Sequence, residues 1–274
     1  MFEHILVAVD FSPAWGQMET QLDRLRALGC RRLTLAHVLA EGYTRAPEVG
    51  HVPHYEERLN AIAATVREQG FEVEKAIGVG NVATELERIA ATHGAGVILA
   101  GSHGHSTLRD LFLGSTVLEL ARRARRPLLL VPFGDGVTLE PTPVCRPLLA
   151  TDGSAAAAGA EAAFLEVLPR CRRGIVVSVG RWDDAPEREP EREALEGHVK
   201  QLAQRAGERG FDTVLLGQGK PSAEIGRVAE EKGADLLIIG KRGRNPITDL
   251  LLGSTAEAVC RQARRLTLLV PAHD

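Results

Sequence analysis

The sequence predicts an α/β protein built from two tandem doubly wound domains, each a five-stranded parallel sheet with helices on both faces. Three observations carry that prediction. The chain repeats itself: Gly101-Ser-His-Gly104, followed by Leu-Phe-Leu-Gly114-Ser115-Thr116, returns as Gly240-Lys-Arg-Gly243, followed by Leu-Leu-Leu-Gly253-Ser254-Thr255. Short runs rich in Val, Ile and Leu alternate with segments of helical periodicity in both halves. Consecutive strands separated by helices cannot form tight hairpins, so the crossovers are right-handed and the sheet is parallel.

The elements follow in order. Ile5–Val9, Leu33–Leu39, Val73–Ile77, Val97–Ala100 and Leu128–Val131 are apolar runs of strand length, expected to be buried on both faces. Between the second and third, Tyr55, Leu59, Ile62 and Val66 recur every three to four residues, as do Leu195, Val199, Leu202 and Ala206 in the second half. Such stripes read as core-facing helix surfaces. Val7-Ala8-Val9-Asp10 matches Leu149-Ala150-Thr151-Asp152, Cys30 to Val38 matches Cys171 to Val179, and both halves close on Leu-Leu-Val-Pro. A repeat of about half of 274 residues is domain-sized, too long for a solenoid unit. The expected boundaries are 1–138 for the first domain, 139–143 for the linker and 144–274 for the second. That linker ends a stretch, Phe133–Pro143, interrupted by Gly134, Gly136, Pro141 and Pro143.

Composition excludes several classes. Lys plus Arg number 33 against 36 Asp plus Glu, a net charge of -3, which offers no long-range attraction for nucleic acid or acidic lipid. No apolar run approaches the roughly 18 residues of a membrane span. Cys30, Cys145, Cys171 and Cys260 are far apart with no C-x-x-C pair, which reads as free thiols in a reducing cytoplasm rather than a zinc or disulfide framework.

In doubly wound sheets ligands sit beyond the carboxyl ends of the strands, at the point where strand order reverses. There the first copy carries Gly101-x2-Gly104-x9-Gly114-Ser115 before a helical segment, and the second carries Gly240-x2-Gly243-x9-Gly253-Ser254. A glycine loop emptying into a helix N-terminus presents unpaired N–H groups and a positive dipole end, which suits phosphate oxygens. The same residues also serve as ordinary turns, and Ser115 and Ser254 as N-caps.

This duplicated signature resembles the nucleotide-binding motif of the universal stress protein family in its tandem two-domain form. The resemblance covers almost the whole chain, and the Asp after strand one and the Val of strand two support it. It implies an adenine nucleotide alpha hydrolase-like fold with strand order 3-2-1-4-5 and ATP, AMP or ADP as ligand. It further implies that the backbone of Val38 and Val179 meets adenine, and that Asp10 and Asp152, with Ala8, lie by the base or ribose. Gly101, His103, Gly104, Gly114, Ser115 and Thr116 would cradle ribose and phosphates in the first copy, and Gly240, Gly243, Gly253, Ser254 and Thr255 in the second. Asp10 and Asp152 are the candidate Mg2+ ligands.

The copies also differ. Gly96 stands against Asp235 and Ser102-His103 against Lys241-Arg242, so the two sites are expected to differ in affinity. Lys241 and Arg242 suit phosphate, although surface charge is the commoner fate of such residues, and a solvated loop is the commoner fate of His103 and His105. The arginines at 122, 123, 125, 126, 264 and 265 complement the dipole at the end of the last helix of each copy. Three function classes remain: a nucleotide-binding stress-response switch, a slow ATPase, and a scaffold of the same fold with another ligand. No Walker lysine and no nucleophile–base pair favours an enzyme. A pseudo-dimer of the two halves through their apolar fifth strands, and a homodimer of whole chains, complete the expectations.

Overall fold

The structure is a computed structural model that describes residues 1–40, 52–102, 113–133, 137, 146–183, 186–243 and 252–272. These residues gather in two compact units whose main bodies are 1–136 and 144–274. His103, Gly104, Cys145 and the expected linker, 139–143, lie outside the described residues.

In the first unit, β1 (His4–Ala8), β2 (Arg32–Ala40), β3 (Glu72–Gly80), β4 (Val97–Gly101) and β5 (Leu128–Val131) form a parallel sheet in the order β3-β2-β1-β4-β5. Because β1 lies at the centre, with β2 to one side and β4 to the other, the order reverses beside it. Its residues Ile5, Leu6 and Val7 have no exposed surface, as expected of a strand covered on both faces. β3 departs from the expected full burial: as an edge strand it has a partner on one side only, and Val79 is 60% exposed.

Helices fill the crossovers. α1 (Trp15–Thr20) and α2 (Leu22–Ala27) follow β1, α3 (Val52–Glu68) follows β2, α4 (Val82–His93) follows β3 and α5 (Ser115–Arg123) precedes β5. Asn81 caps α4 by accepting the Thr84 N–H at 3.0 Å, and Gly94, in the left-handed region at φ 70°, ends it. Leu59 and Val66 of α3 are buried as its stripe predicts, whereas Tyr55 is half-buried and turns to a cleft rather than the core.

The second unit repeats the plan with β6 (Pro147–Ala150), β7 (Gly174–Val179), β8 (Phe211–Leu216), β9 (Leu236–Gly240) and β10 (Leu266–Val270), in the order β8-β7-β6-β9-β10. Its helices are α6 (Ala158–Val167), α7 (Glu189–Ala206), α8 (Pro221–Glu231) and α9 (Ser254–Arg261). The strand order 3-2-1-4-5 therefore holds in both copies.

Within each unit, a close contact ties the amino ends of the strands. In the first, a Cβ on Gly96 would stand 2.3 Å from the Met1 carbonyl, so no larger residue fits. In the second, Asp235 accepts the Arg146 N–H at 3.1 Å. This difference between the copies thus lies in packing at the amino ends of the strands, away from the carboxyl ends. Cys30 and Cys260 are buried, and burial pushes both thiols up to about 12.

Candidate functional site

Each unit has a cleft at the carboxyl end of its sheet, beside the central strand. The first encloses about 710 Å³ and the second about 330 Å³. Of the residues singled out in the first copy, Ala8, Asp10, Val38, Gly101, Gly114, Ser115 and Thr116 all line the first cleft. Asp152, Val179, Gly240, Gly243, Gly253, Ser254 and Thr255 all line the second.

The loop before α5 is closed by backbone bonds. Ser102 N–H donates to the Val131 carbonyl at 2.8 Å and Gly114 N–H to the Ser102 carbonyl at 3.0 Å. The second copy repeats both: Lys241 N–H to Val270 at 2.6 Å, and Gly253 N–H to Lys241 at 2.9 Å. Gly114 and Gly253 are the N-caps, so Ser115 and Ser254 open the helices as first helical residues and make no side-chain cap bond. Both serines, which sequence reasoning allowed as caps, line the clefts. The amides of the first turn have no intrahelical acceptor and face the same space.

Opposite these amides, the aspartates shape the turns that follow the central strands. Asp10 Oδ1 accepts the Ser12 N–H at 2.9 Å and Asp152 Oδ1 the Ser154 N–H at 3.0 Å. The residue between is left-handed in both copies, Gly153 at φ 69° and Phe11 at φ 58°. Glycine adopts that conformation without penalty, whereas for phenylalanine it costs roughly 1–2 kcal/mol. The Phe11 ring packs 4.6 Å from His37 and 5.8 Å from Tyr55, with the Arg58 guanidinium 4.2 Å above it. His37 Nδ1 donates to the Val9 carbonyl at 2.7 Å, which fixes the imidazole.

In the second copy the loop meets the aspartate directly. A Cβ on Gly243 would lie 2.9 Å from Asp152 Oδ2, and one on Gly253 3.2 Å from the Lys241 carbonyl. Side chains at Gly243 and Gly253 would therefore crowd the Asp152 carboxylate and the loop backbone, respectively. Behind Asp152, Thr151 Oγ1 donates to Glu161 Oε1 at 2.7 Å, His198 Nε2 donates to the same oxygen at 2.7 Å, and the Gly153 N–H reaches Thr151 Oγ1 at 3.1 Å. Lys241 is 4% exposed, so it is not the surface charge expected of it; it is as buried as Ser102, its counterpart in the first copy. Arg242 lines the second cleft.

Several cleft residues escaped the sequence reading: Phe11, His37, Tyr55 and Arg58 in the first copy, and the Thr151–Glu161–His198 chain behind the second. The one available signal was Phe11, standing where the twin copy has a glycine. Among the described residues no three His, Cys, Asp or Glu gather as a metal site, and no helix is long and apolar enough to cross a membrane.

Each unit is thus a doubly wound domain with a cleft at the carboxyl ends of its strands, and the chain is a tandem pair of such domains. It belongs to the universal stress protein family, whose sequence profile matches residues 1–132 and 148–271. A universal stress protein of Mycobacterium tuberculosis is 30% identical to it over 187 residues, covering 62% of this chain and 60% of that one. The chain therefore spans about 60% of the length of that relative. Another, from Mycolicibacterium smegmatis, is 28% identical over 293 residues, covering 97% of this chain and 96% of its own. Among solved structures, a universal stress protein from Archaeoglobus fulgidus aligns over 100% of both chains with a TM-score of 0.78 at 19% identity, a likeness of fold.

Proposed function

We propose that the chain is an adenine-nucleotide-binding regulatory protein with one ATP-class site in each unit. The observation that carries this reading is the recurrence, in both clefts, of the same opposition. A capping glycine and the free amides of a helix start face, across the central strand, an Asx turn and the end of strand two. Amides and hydroxyls suit phosphate oxygens; the backbone at Val38 and Val179 offers the peptide edge that a base needs. The residues present fit the ligand, because a Cβ on Gly243 would encroach on the Asp152 carboxylate and one on Gly253 would crowd the Lys241 carbonyl and Arg242 Cα of the loop itself. The first cleft would hold the nucleotide through Ala8, Asp10, Val38, Gly101, Gly114, Ser115 and Thr116, and the second through Asp152, Val179, Gly240, Gly243, Gly253, Ser254 and Thr255; His103 and Gly104 join the first by sequence alone. Asp10 and Asp152 would be the Mg2+ ligands.

Amides that grip the ground and transition states alike hold a phosphate chain without speeding its cleavage. The site therefore stores a nucleotide and reports its presence through the order of the loop around it, as suits a stress-response switch. A cytoplasmic location rests on the free thiols Cys30, Cys171 and Cys260. Pairing of the halves through Leu128–Val131 and Leu268–Val270, and of whole chains as a homodimer, rests on the apolar character of those runs. Halves expressed separately should self-associate, and well-behaved monomers would sink the idea.

Calorimetry with ATP tests the main reading, together with mass spectrometry of the denatured, freshly purified chain. Two equivalents bound per chain are expected. No binding, with no adenine nucleotide carried through purification, overturns it.

A further inference from the structure

We propose that the two clefts read opposite ends of the same ligand: the first recognises the base through an aromatic wall, and the second recognises the phosphate chain. This rests on the adenine-nucleotide reading and adds what determines specificity in each copy. The wall is Phe11, His37 and Tyr55, three rings contributed by the turn after β1, by β2 and by α3. Their centroids are 4.6, 4.8 and 5.8 Å apart, and the Phe11 and Tyr55 planes are 22° from parallel. The Arg58 guanidinium lies over the Phe11 ring, 4.2 Å from its centroid. All four residues line the first cleft.

The wall occupies the β2 side of the central strand, and the α5 amides occupy the β4 side. A nucleotide whose phosphates meet α5 therefore lays its base towards the rings, where stacking of π faces recognises a planar heterocycle. Phe11 is the one described non-glycine residue with a positive φ, and the twin copy places Gly153 there at the same backbone geometry. A chain with no use for the ring gains by having glycine, so the strain marks a retained function.

The second copy has the opposite bias. Gly153 and Ser178 stand where Phe11 and His37 are, and no aromatic residue lines its described cleft, which has less than half the volume. On its phosphate side Arg242 lines the cleft, beside the buried Lys241 in the place of Ser102. A guanidinium at that end binds phosphate oxygens through paired charged hydrogen bonds and is indifferent to the base.

The full chain is titrated calorimetrically with ATP, adenosine and inorganic tripolyphosphate, as wild type, Phe11→Gly and Arg242→Ala. Adenosine should bind the first cleft more tightly than the second, and tripolyphosphate the second more tightly than the first. Phe11→Gly should weaken adenosine binding tenfold or more and leave tripolyphosphate binding as it was. Arg242→Ala should do the reverse. Phe11→Gly relieves a left-handed residue and copies the twin, so the fold should survive; Tyr55→Ala gives the same reading independently if it does not. Unchanged or tighter adenosine binding in Phe11→Gly or Tyr55→Ala, as for a ring that only fills space, overturns the proposal while ATP binding stands. A wild-type chain that binds none of the three overturns both readings.

Discussion

Glu161 is where the geometry of the second cleft converges. Its carboxylate is 3% exposed and accepts from Thr151 and His198, while Thr151 in turn accepts the Gly153 amide of the turn that carries Asp152. Removing the acceptor strands two donors in a site with little water. Glu161→Ala should lower the unfolding free energy by about 2–4 kcal/mol in urea titrations, and Glu161→Gln, which keeps an acceptor oxygen, by about half of that. Because the turn loses its support, ligand affinity in the second cleft should fall with it and affinity in the first should not. At Gly243 the effect separates the other way. A side chain there meets Asp152 Oδ2 at 2.9 Å, so Gly243→Val should cut second-site binding at least tenfold. Its melting temperature should change little, since the position is a surface loop.

Helix α4 shows what a single element owes to its ends. Asn81 accepts the Thr84 amide and Gly94 takes the left-handed C-cap, so Asn81→Ala should cost about 1 kcal/mol, read from a shift of the urea midpoint without a change in slope. Elements of this kind were legible in the sequence wherever burial is symmetrical. β1, β4 and β5 are continuous apolar runs because both faces are covered, and their bounds fall within a residue of those expected. β3 was legible from its residues as a strand but not as an edge, because strand order is set by tertiary pairing; its edge place came only from the strand order that the family resemblance implied. The glycine motifs marked the cleft through local spacing. The aromatic wall did not show, because Tyr55 sits in a stripe of helical period whose members Leu59 and Val66 are buried in the core. Nor did the chain behind Asp152: His198 reaches Glu161 across 37 residues of sequence, and no local pattern encodes such a contact.

For the molecule as a whole, acid should act on the two units at different pH. Burial, and then the Arg32 charge, hold the His4 pKa below 6.5, with Glu74 opposing. The unfolded chain then binds more protons than the folded one as pH falls through 6.5, so stability present above that value is lost on the way down to the folded pKa. The first unit's melting temperature should therefore fall as pH drops below about 6.5, and His4→Gln should flatten that slope. Glu74 and Asp212 act lower. Hydrogen bonds from His93 and Arg173 hold them below 4.5 and 3.8, so the stability they add is lost only as pH falls through those depressed values. Turnover is the matching functional prediction: steady-state phosphate release should stay well under the roughly 1 s⁻¹ of dedicated enzymes. Release at or above that rate, lost on Asp10→Asn with Asp152→Asn, would overturn the proposed switch role in favour of an ATPase.

The buried thiols make each half its own clock. With Cys30 and Cys260 pushed up to about 12, roughly one thiol in ten thousand is thiolate at pH 8 while the fold is closed, and neither is within reach of an alkylating reagent. Opening restores both reactivity and access. Brief pulses of iodoacetamide, followed by peptide mapping, would therefore record how often the sheet of each unit breathes, Cys30 for the first and Cys260 for the second. Adding nucleotide should slow labelling at Cys30, at Cys260 or at both, according to which cleft it fills, so a chemical stopwatch already in the chain can tell the two sites apart without any engineered probe.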